Sequence, residues 1–218
     1  MLGADLQTIL MRIPALLIAI TFHEFAHARM AYHFGDSTAK SYGRMTLNPI
    51  SHLDPIGTIM ILLVGFGWAK PVPINPNNFN RYRAGLRWVS FAGPLSNLIL
   101  GFLSLLIFIL LLDRGWIAFG GLLFMFFQVL VSLNIMLAIF NMLPVPPLDG
   151  SKILMSFLPT RLLGLYRQLE QWAPILLIAL IFLPVPGPYR SVLHAIIVPV
   201  SNAIFSFYLT LIGYLPGF

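Results

Sequence analysis

Two histidines and a glutamate lie within one short segment, His23-Glu24-Phe25-Ala26-His27. On a helix, residues four positions apart project from the same face, so the imidazoles of His23 and His27 can reach one metal ion. Glu24, beside the first histidine, can act as a general base on a water molecule. The spacing therefore predicts zinc-dependent hydrolysis. The alternative is a pair of surface histidines on a polar helix.

The setting of this motif disfavours that alternative. The motif continues an apolar run that begins near Leu6 and ends near Tyr32. The whole chain is 58% hydrophobic and only 9% charged, with a mean hydropathy of +0.87, whereas soluble domains have about 25% charged residues. The composition indicates an integral membrane protein. Ionisable side chains are costly inside a membrane and usually have a function there.

The charge and cysteine content exclude several other classes of site. The formal net charge is +6, but the basic residues lie mostly in the connections between apolar runs, as the positive-inside rule expects. No basic stripe with interleaved aromatic residues occurs, so we expect no nucleic-acid partner. The chain has no cysteine, which excludes disulfides and thiolate metal ligands.

The apolar runs predict an all-α polytopic membrane protein. A span needs about 20 apolar residues, so we expect about five transmembrane helices plus a re-entrant element after the first helix, with six spans as the alternative. The segment Thr160–Trp172 connects the fourth and fifth runs. It has the pattern of an amphipathic helix at the membrane surface, or of a polar loop with a few leucines. The apolar runs cover residues 6–32, 55–69, 88–112, 116–148, 172–188 and 191–214.

The distribution of basic residues favours the re-entrant arrangement. If residues 55–69 cross the membrane, the lysines and arginines of the connections divide seven against four. If these residues return to the side they came from, the division becomes nine against two. The positive-inside rule favours the second arrangement. The C-terminal ends of the first and fourth runs then both lie on the cytoplasmic side.

This topology selects a third metal ligand. A catalytic zinc ion usually has three protein ligands, and Asp149 lies at the end of the fourth run, at the same depth as the two histidines. Pro144, Pro146 and Pro147 precede it and cannot continue a regular helix. Irregular backbone inside a membrane protein normally lines a site, although these prolines could simply end the helix. The other candidates are Asp36, Glu170, His33, His52, His194, Asp54 and Asp113. Most of them lie in loops, and the last five are assigned to loops, caps or the interface.

Three segments together carry a resemblance to a known family. They are HEFAH at residues 23–27, FAGPLSN at 91–97 and NMLPVPPLDG at 141–150. The chain resembles the site-2 protease family of intramembrane zinc metalloproteases, over about residues 6–152. GRMTLNPISHLDPIGT and GWAKPVPINP, at residues 43–58 and 67–76, resemble its compact prokaryotic branch, which has no PDZ or CBS domain.

The resemblance implies roles for individual residues. It implies one Zn²⁺ per chain, held by His23, His27 and Asp149. It makes Glu24 the general base and Asn141 a catalytic group that contacts the substrate or the oxyanion. It also implies a β-hairpin in the membrane after the first helix, which matches the re-entrant element.

Asn97, the last residue of FAGPLSN, is interpreted as a supporting polar group of the site. For both Asn97 and Asn141 the alternative is a simple hydrogen bond between helices, which is common in membrane proteins. We expect a single membrane-embedded metalloprotease domain over residues 1–218, with a catalytic core at about 6–152 and additional C-terminal helices at 160–218.

The resulting expectation is a multi-pass protein of the plasma or inner membrane, with its active site toward the cytoplasmic side. It would hydrolyse peptide bonds within or next to transmembrane segments of other membrane proteins, so its partners would be those segments and the lipid bilayer. Two alternatives remain at this stage. One is a metal or ion transporter, since intramembrane His, Glu and Asp residues also mark ion pathways. The other is a catalytically inactive scaffold that binds membrane proteins.

Overall fold

The protein is described from a computed structural model, over residues 6–54, 56–57 and 70–213. The re-entrant or β-hairpin element expected at residues 55–69 therefore lies almost entirely outside the described residues. Within them the secondary structure is helical and forms no β-strand, so the all-α prediction is confirmed. The helices are α1 (Leu6–His33), α2 (Thr38–Ser41), α3 (Tyr82–Asp113), α4 (Leu122–Met142), α5 (Asp149–Phe157), α6 (Leu163–Gln171), α7 (Ala173–Phe182) and α8 (Val192–Ile212).

In the described part of the chain, three helices have the length and apolar composition needed to cross a membrane. They are α3, α4 and α8, with 32, 21 and 21 residues. Helix α7 is apolar but has only 10 residues, or about 15 Å of helix, which is half the thickness of a hydrocarbon core. These helices indicate a membrane protein, and the number of spans stays a prediction.

The helix ends differ from the apolar runs for identifiable reasons. Helix α3 begins at Tyr82 rather than near Trp88, because its first turns contain arginines that an apolar pattern does not include. Helix α4 is shorter than the run 116–148. It begins after Gly120, whose φ of 76° is left-handed, and ends before the prolines, which cannot continue a helix.

The segment after α5 is helical, as its amphipathic pattern predicted. Residues Thr160–Leu162 form one 3₁₀ turn, and α6 continues directly from it. Two other 3₁₀ turns lie at Pro49–His52 and Pro76–Asn78, each with an asparagine before it whose side chain accepts a hydrogen bond from the turn. Both lie in the sequence between α1 and α3, among residues 34–54 and 70–81, which we call the polar layer.

Helices α1, α3 and α4 pack against one another and form the centre of the fold. Small side chains at four-residue spacing allow the close approach, as in other membrane helix pairs. On α1 the buried stripe consists of Ala15, Ala19, His23, His27 and Ala31. The two histidines therefore belong to a buried stripe whose other residues are alanine.

The facing stripe of α3 has the same spacing and is also composed mainly of small residues. It consists of Gly85, Val89, Gly93, Asn97 and Gly101, all buried. Farther along α3, larger apolar side chains pack with α4 and α8 in a cluster that includes Leu105, Phe108, Ile135 and Tyr208. The part of this interface with small residues holds the buried polar side chains, and the part with larger residues forms the apolar core.

Candidate metal centre

Helix α1 places the two imidazoles of the HEFAH segment side by side. The ring centroids of His23 and His27 lie 4.6 Å apart, and their Nε2 atoms are 3.0 Å apart. The two residues are only 8% and 6% exposed. The predicted juxtaposition of these two histidines is therefore present in the structure.

Asp149 reaches the same point from the other side of the fold. It is the first residue of α5, directly after the irregular segment that follows α4. Its Oδ2 lies 3.3 Å from His23 Nε2 and 3.1 Å from His27 Nε2. Asp149 is 6% exposed. Among the described residues, these three form the one group of potential metal ligands, with all ligand atoms within 4.8 Å of one another.

Gly150 explains how α5 comes close enough for this contact. A Cβ atom at this position would lie 2.2 Å from the Met142 carbonyl oxygen and 2.6 Å from that of Leu143. Both distances are far shorter than van der Waals contact, so a larger residue would push the start of α5 away. The end of α4 and the start of α5 can pack this tightly only with glycine after Asp149.

The spacing of the three ligand atoms fits a zinc ion. Zinc bonds to histidine and carboxylate of about 2.0–2.1 Å in a tetrahedral site place neighbouring ligand atoms about 3.3 Å apart. The observed separations are 3.0, 3.1 and 3.3 Å. Gly93 on α3 leaves space beside both rings, since a Cβ there would lie 2.3 Å from His27 Nε2. Two imidazoles and one carboxylate are also a donor set that catalytic zinc sites use.

Hydrogen bonds from α3 set the orientation of both rings. His27 Nδ1 lies 2.7 Å from the carbonyl oxygen of Val89, which can only accept, so this nitrogen carries the proton. His23 Nδ1 lies 2.6 Å from Oδ1 of Asn97. In both rings the Nε2 lone pair then faces the shared point. Such outer hydrogen bonds typically fix the tautomer of metal-binding histidines.

Glu24 lies beside this group and is held by the chain before α3. The side chain is partly buried, and Oε2 accepts a hydrogen bond of 2.8 Å from the backbone N–H of Val72. Arg44 donates to the carbonyl oxygens of Lys70 and Pro71. Residues 70–74, which form neither helix nor strand, are therefore held next to the carboxylate.

Asn141 is placed near the C-terminal end of α4, one residue before its last residue. Its Nδ2 donates a hydrogen bond of 2.9 Å to the carbonyl oxygen of Leu137 in the same helix. The side chain is partly buried. The predicted contact of Asn141 with substrate or oxyanion stays a prediction.

A lysine contacts the second carboxylate oxygen of Asp149. Lys152 Nζ lies 3.4 Å from Asp149 Oδ1, and the lysine side chain is 48% exposed. The two oxygens of Asp149 therefore have different surroundings. Oδ2 faces the imidazoles, and Oδ1 faces a cation at the edge of the site.

The histidines not assigned to the site have other surroundings. His33 is exposed at the end of α1. His52 is buried, and its Nε2 contacts the Thr46 carbonyl oxygen at 2.8 Å. His194, near the start of α8, accepts a hydrogen bond from the backbone of Arg190 at its Nδ1. Asp54 accepts one from the Gly57 backbone, and Asp113 is exposed at the end of α3.

Two contributors to the site were missed by reasoning from the sequence. One is the N–H of Val72, which carries no sequence signal because any non-proline residue supplies it. The other is Asn134, which is fully buried in α4 and hydrogen-bonded to Asn97. A signal for Asn134 does exist, since a single amide within the apolar segment VLVSLNIMLAIF is unusual in a membrane helix and normally has a partner.

Comparison with known proteins identifies the family of the chain. "Putative zinc metalloprotease YwhC" of Bacillus subtilis (strain 168) is 45% identical over 177 residues, which cover 80% of each chain. The chain belongs to peptidase family M50. The sequence model of Peptidase family M50 matches residues 112–184, a range that includes Asp149 and begins after the HEFAH segment.

More distant M50 relatives carry similar names. "Putative zinc metalloprotease Rip2" of Mycolicibacterium smegmatis (strain ATCC 700084 / mc(2)155) is 29% identical over 174 residues, 77% of this chain and 65% of that protein. The protein of the same name from Mycobacterium tuberculosis (strain ATCC 25618 / H37Rv) is 30% identical over 179 residues, 80% of this chain and 67% of that protein. No solved structure matches the chain.

Proposed function

We propose that this M50 protein is an intramembrane zinc metalloprotease that hydrolyses peptide bonds within or next to transmembrane segments of other proteins. One observation carries the proposal. Two imidazole nitrogens and one carboxylate oxygen converge at 3.0–3.3 Å, in a chain whose helices are apolar enough to cross a membrane. His23, His27 and Asp149 would hold one zinc ion per chain, in the arrangement of the HExxH and LDG motifs.

The chain's own residues divide the chemistry among them. Zinc, when bound, supplies Lewis-acid polarisation of water and of the scissile carbonyl. Glu24 accepts a proton from the attacking water while the water oxygen bonds to the carbonyl carbon. It then returns this proton to the amine nitrogen when the C–N bond breaks. Asn141 has a second amide N–H beyond the one donated to Leu137, and this N–H would stabilise the oxyanion.

Hydrogen bonds with residues that do not bind the metal hold these groups in position before the substrate arrives. Asn97 and the Val89 carbonyl hold the imidazoles in one tautomer. The Val72 N–H holds one oxygen of Glu24, which leaves the other oxygen of that carboxylate available for the water. Fixed groups of this kind need no rearrangement during the reaction.

The position of the site supports the topology with a re-entrant element. His23 and His27 lie in the C-terminal half of α1, and Asp149 follows the C-terminal end of α4. If both helices cross the membrane, they run in the same direction, which requires that residues 55–69 return to the side they came from. The proposed topology has five spans: α1, α3, α4, the run 172–188 that contains α7, and α8.

The charge distribution supports a cytoplasmic site in the plasma or inner membrane. In this topology nine of the lysines and arginines in the connections share a side with the site, against two on the far side, as the positive-inside rule expects of the cytoplasmic face. Its partners would be single-span substrates and the surrounding lipid.

The deciding experiment compares wild type with Glu24→Gln and with Glu170→Gln, a matched change at an exposed glutamate of α6. Zinc per chain and cleavage of a panel of single-span proteins are measured in detergent. We expect one zinc in all three proteins, and cleavage by wild type and Glu170→Gln alone. Zinc without cleavage in all three would favour a scaffold. Zinc flux through wild type in proteoliposomes would favour a transporter.

A further inference from the structure

A buried amide on α4 is connected to the metal centre although it does not touch it. Asn134 has no exposed surface and lies in an otherwise apolar stretch of the helix. Its Oδ1 accepts a hydrogen bond of 2.8 Å from Asn97 Nδ2, and its own Nδ2 donates one of 2.8 Å to the Leu130 carbonyl oxygen. Both polar atoms of its amide are therefore satisfied, and one of them is directed at Asn97.

The neighbours of Asn97 allow only one orientation of its amide. Nδ2 of Asn97 faces two acceptors, the Ala19 carbonyl oxygen at 3.0 Å and Asn134 Oδ1 at 2.8 Å. If the amide were rotated by half a turn, its carbonyl oxygen would face two other oxygens, and no proton would lie between them. Oδ1 of Asn97 must therefore point away from α4, toward His23 Nδ1 at 2.6 Å.

This orientation determines which nitrogen of His23 carries the proton. Oδ1 of Asn97 can only accept, so Nδ1 of His23 donates and Nε2 keeps its lone pair. Nε2 is the atom that lies 3.0 Å from His27 Nε2 and 3.3 Å from Asp149 Oδ2. In the other tautomer, Nε2 would direct a hydrogen into the space that a metal ion needs.

We propose that Asn134 is a positioning residue of the metal centre, which selects the metal-binding tautomer of His23 through Asn97. This inference rests on the proposed function only in that it uses the same zinc site. His27 does not depend on this chain of amides, because the backbone carbonyl of Val89 fixes its ring directly. The dependence of the site on α4 side chains is therefore specific to His23.

The Ala19 carbonyl alone does not hold the Asn97 amide as firmly. One carbonyl oxygen can accept only one of the two Nδ2 hydrogens, and without Asn134 the second has no partner in this buried interface. The amide can then rotate to satisfy that hydrogen elsewhere, and His23 can change tautomer with it. Replacement of outer partners of metal ligands typically weakens metal binding about 10–100-fold.

The test measures zinc affinity without substrate, by competition with a chelator in detergent. Asn134→Ala removes both polar atoms. Asn134→Asp is buried without a cation and is therefore expected in its protonated form, which keeps an acceptor oxygen toward Asn97 and donates an O–H to the Leu130 carbonyl oxygen in place of the N–H. Tyr208→Phe is the matched control, because it removes a partly buried hydrogen bond of 2.7 Å to the Leu98 carbonyl oxygen, in the same part of α3 but unconnected to His23. A second measurement reads the tautomer of His23 in the metal-free protein from its imidazole ¹⁵N shifts.

We expect Asn134→Ala to bind zinc about tenfold more weakly than wild type, with a mixture of His23 tautomers. Asn134→Asp and Tyr208→Phe should stay close to wild type in both measurements. Unchanged affinity and a single tautomer in Asn134→Ala would overturn the inference, and so would an equal loss of affinity in Tyr208→Phe. Wild type that binds zinc but cleaves no substrate would contradict the proposed protease activity without affecting this result.

Discussion

The backbone N–H of Val72 donates a hydrogen bond of 2.8 Å to Oε2 of Glu24. The two residues are 48 positions apart. Arg44 holds the segment that contains Val72, because it donates hydrogen bonds to the carbonyl oxygens of Lys70 and Pro71. A hydrogen bond to an ionised carboxylate is worth about 1.5–3 kcal/mol. The contact therefore holds the proposed general base in one position before a substrate arrives.

Removal of this donor should slow catalysis without loss of metal. Val72→Pro lacks the N–H, and residue 72 precedes Pro73, a position that favours the β and polyproline II conformations, the second of which proline adopts. We expect kcat to fall about tenfold, which corresponds to about 1.4 kcal/mol, with zinc content unchanged. Val72→Ala keeps the donor and loses only buried side-chain contacts. Equal kcat values for the proline and alanine variants would show that the hydrogen bond has no part in catalysis.

Gly93 is expected to be essential for metal binding. A Cβ at this position would lie 2.3 Å from His27 Nε2 and 2.6 Å from His23 Cε1, so Gly93→Ala must displace an imidazole or separate α1 from α3. We expect zinc content well below one per chain and no cleavage. Gly164→Ala on α6 is the control, since a Cβ there meets no atom within 4 Å and alanine favours helix. Full zinc occupancy in Gly93→Ala would contradict the close approach described here.

The sequence predicted which residues form the site better than it predicted the contacts that hold those residues in place. The four-residue spacing of His23 and His27 forces them onto one helical face, and the prolines before Asp149 correctly indicated irregular backbone. That the three residues meet is now observed, and that they bind metal and catalyse stays a prediction. The family resemblance to site-2 proteases is confirmed by the M50 relatives.

The supporting contacts could not be predicted because they depend on how each helix is rotated about its axis. A hydropathy pattern places α4 in the membrane but does not tell which neighbour Asn134 faces. Likewise, the sequence shows no reason for the Val72 backbone to approach Glu24. The ends of α3 and α4 could not be read from the apolar runs for another reason. Helices extend beyond the apolar residues that reveal them, or stop inside an apolar run where glycine or proline occurs.

Asp36, in the polar layer, should make the stability of the folded protein depend on pH in the acidic range. Its carboxylate is fully buried and accepts hydrogen bonds from Thr38, from the Asn75 backbone and from Asn78 Nδ2. Burial raises the pKa of Asp36, but the hydrogen bonds from Thr38, Asn78 and Asn75 outweigh it, so the net pKa lies below the usual range. A lowered folded pKa stabilises the protein above the unfolded pKa of about 3.9, and this stability is lost as the pH falls through the folded pKa.

The corresponding experiment compares wild type with Asp36→Asn by thermal unfolding in detergent between pH 3 and pH 7. An amide presents an N–H₂ group to one of the donors, so we expect the variant to be less stable by about 2 kcal/mol at pH 7. The difference should shrink as the pH falls below the unfolded pKa of about 3.9, because the unfolded wild-type chain then binds a proton that the folded Asp36 carboxylate has not yet taken up. Asp113→Asn, at an exposed position, should show no such pH-dependent difference. If wild type and Asp36→Asn differed in stability by the same amount at every pH in this range, titration of Asp36 would be excluded as the cause of the difference.

Zinc removal should destabilise the contact between α1 and α5. A ligand that binds only the folded state stabilises it by about 2.7 kcal/mol at a hundredfold excess over its Kd, and the three side chains that would hold zinc come from two separate helices. We expect chelation to lower the Tm of wild type and added zinc to restore it. Asp149→Ala should lose most of this zinc-dependent shift, because one ligand is missing. Asp113→Ala, which removes an exposed carboxylate, should keep the shift. If Asp149→Ala gained as much stability from zinc as wild type does, the ion would bind elsewhere and the assignment of Asp149 as a ligand would be wrong.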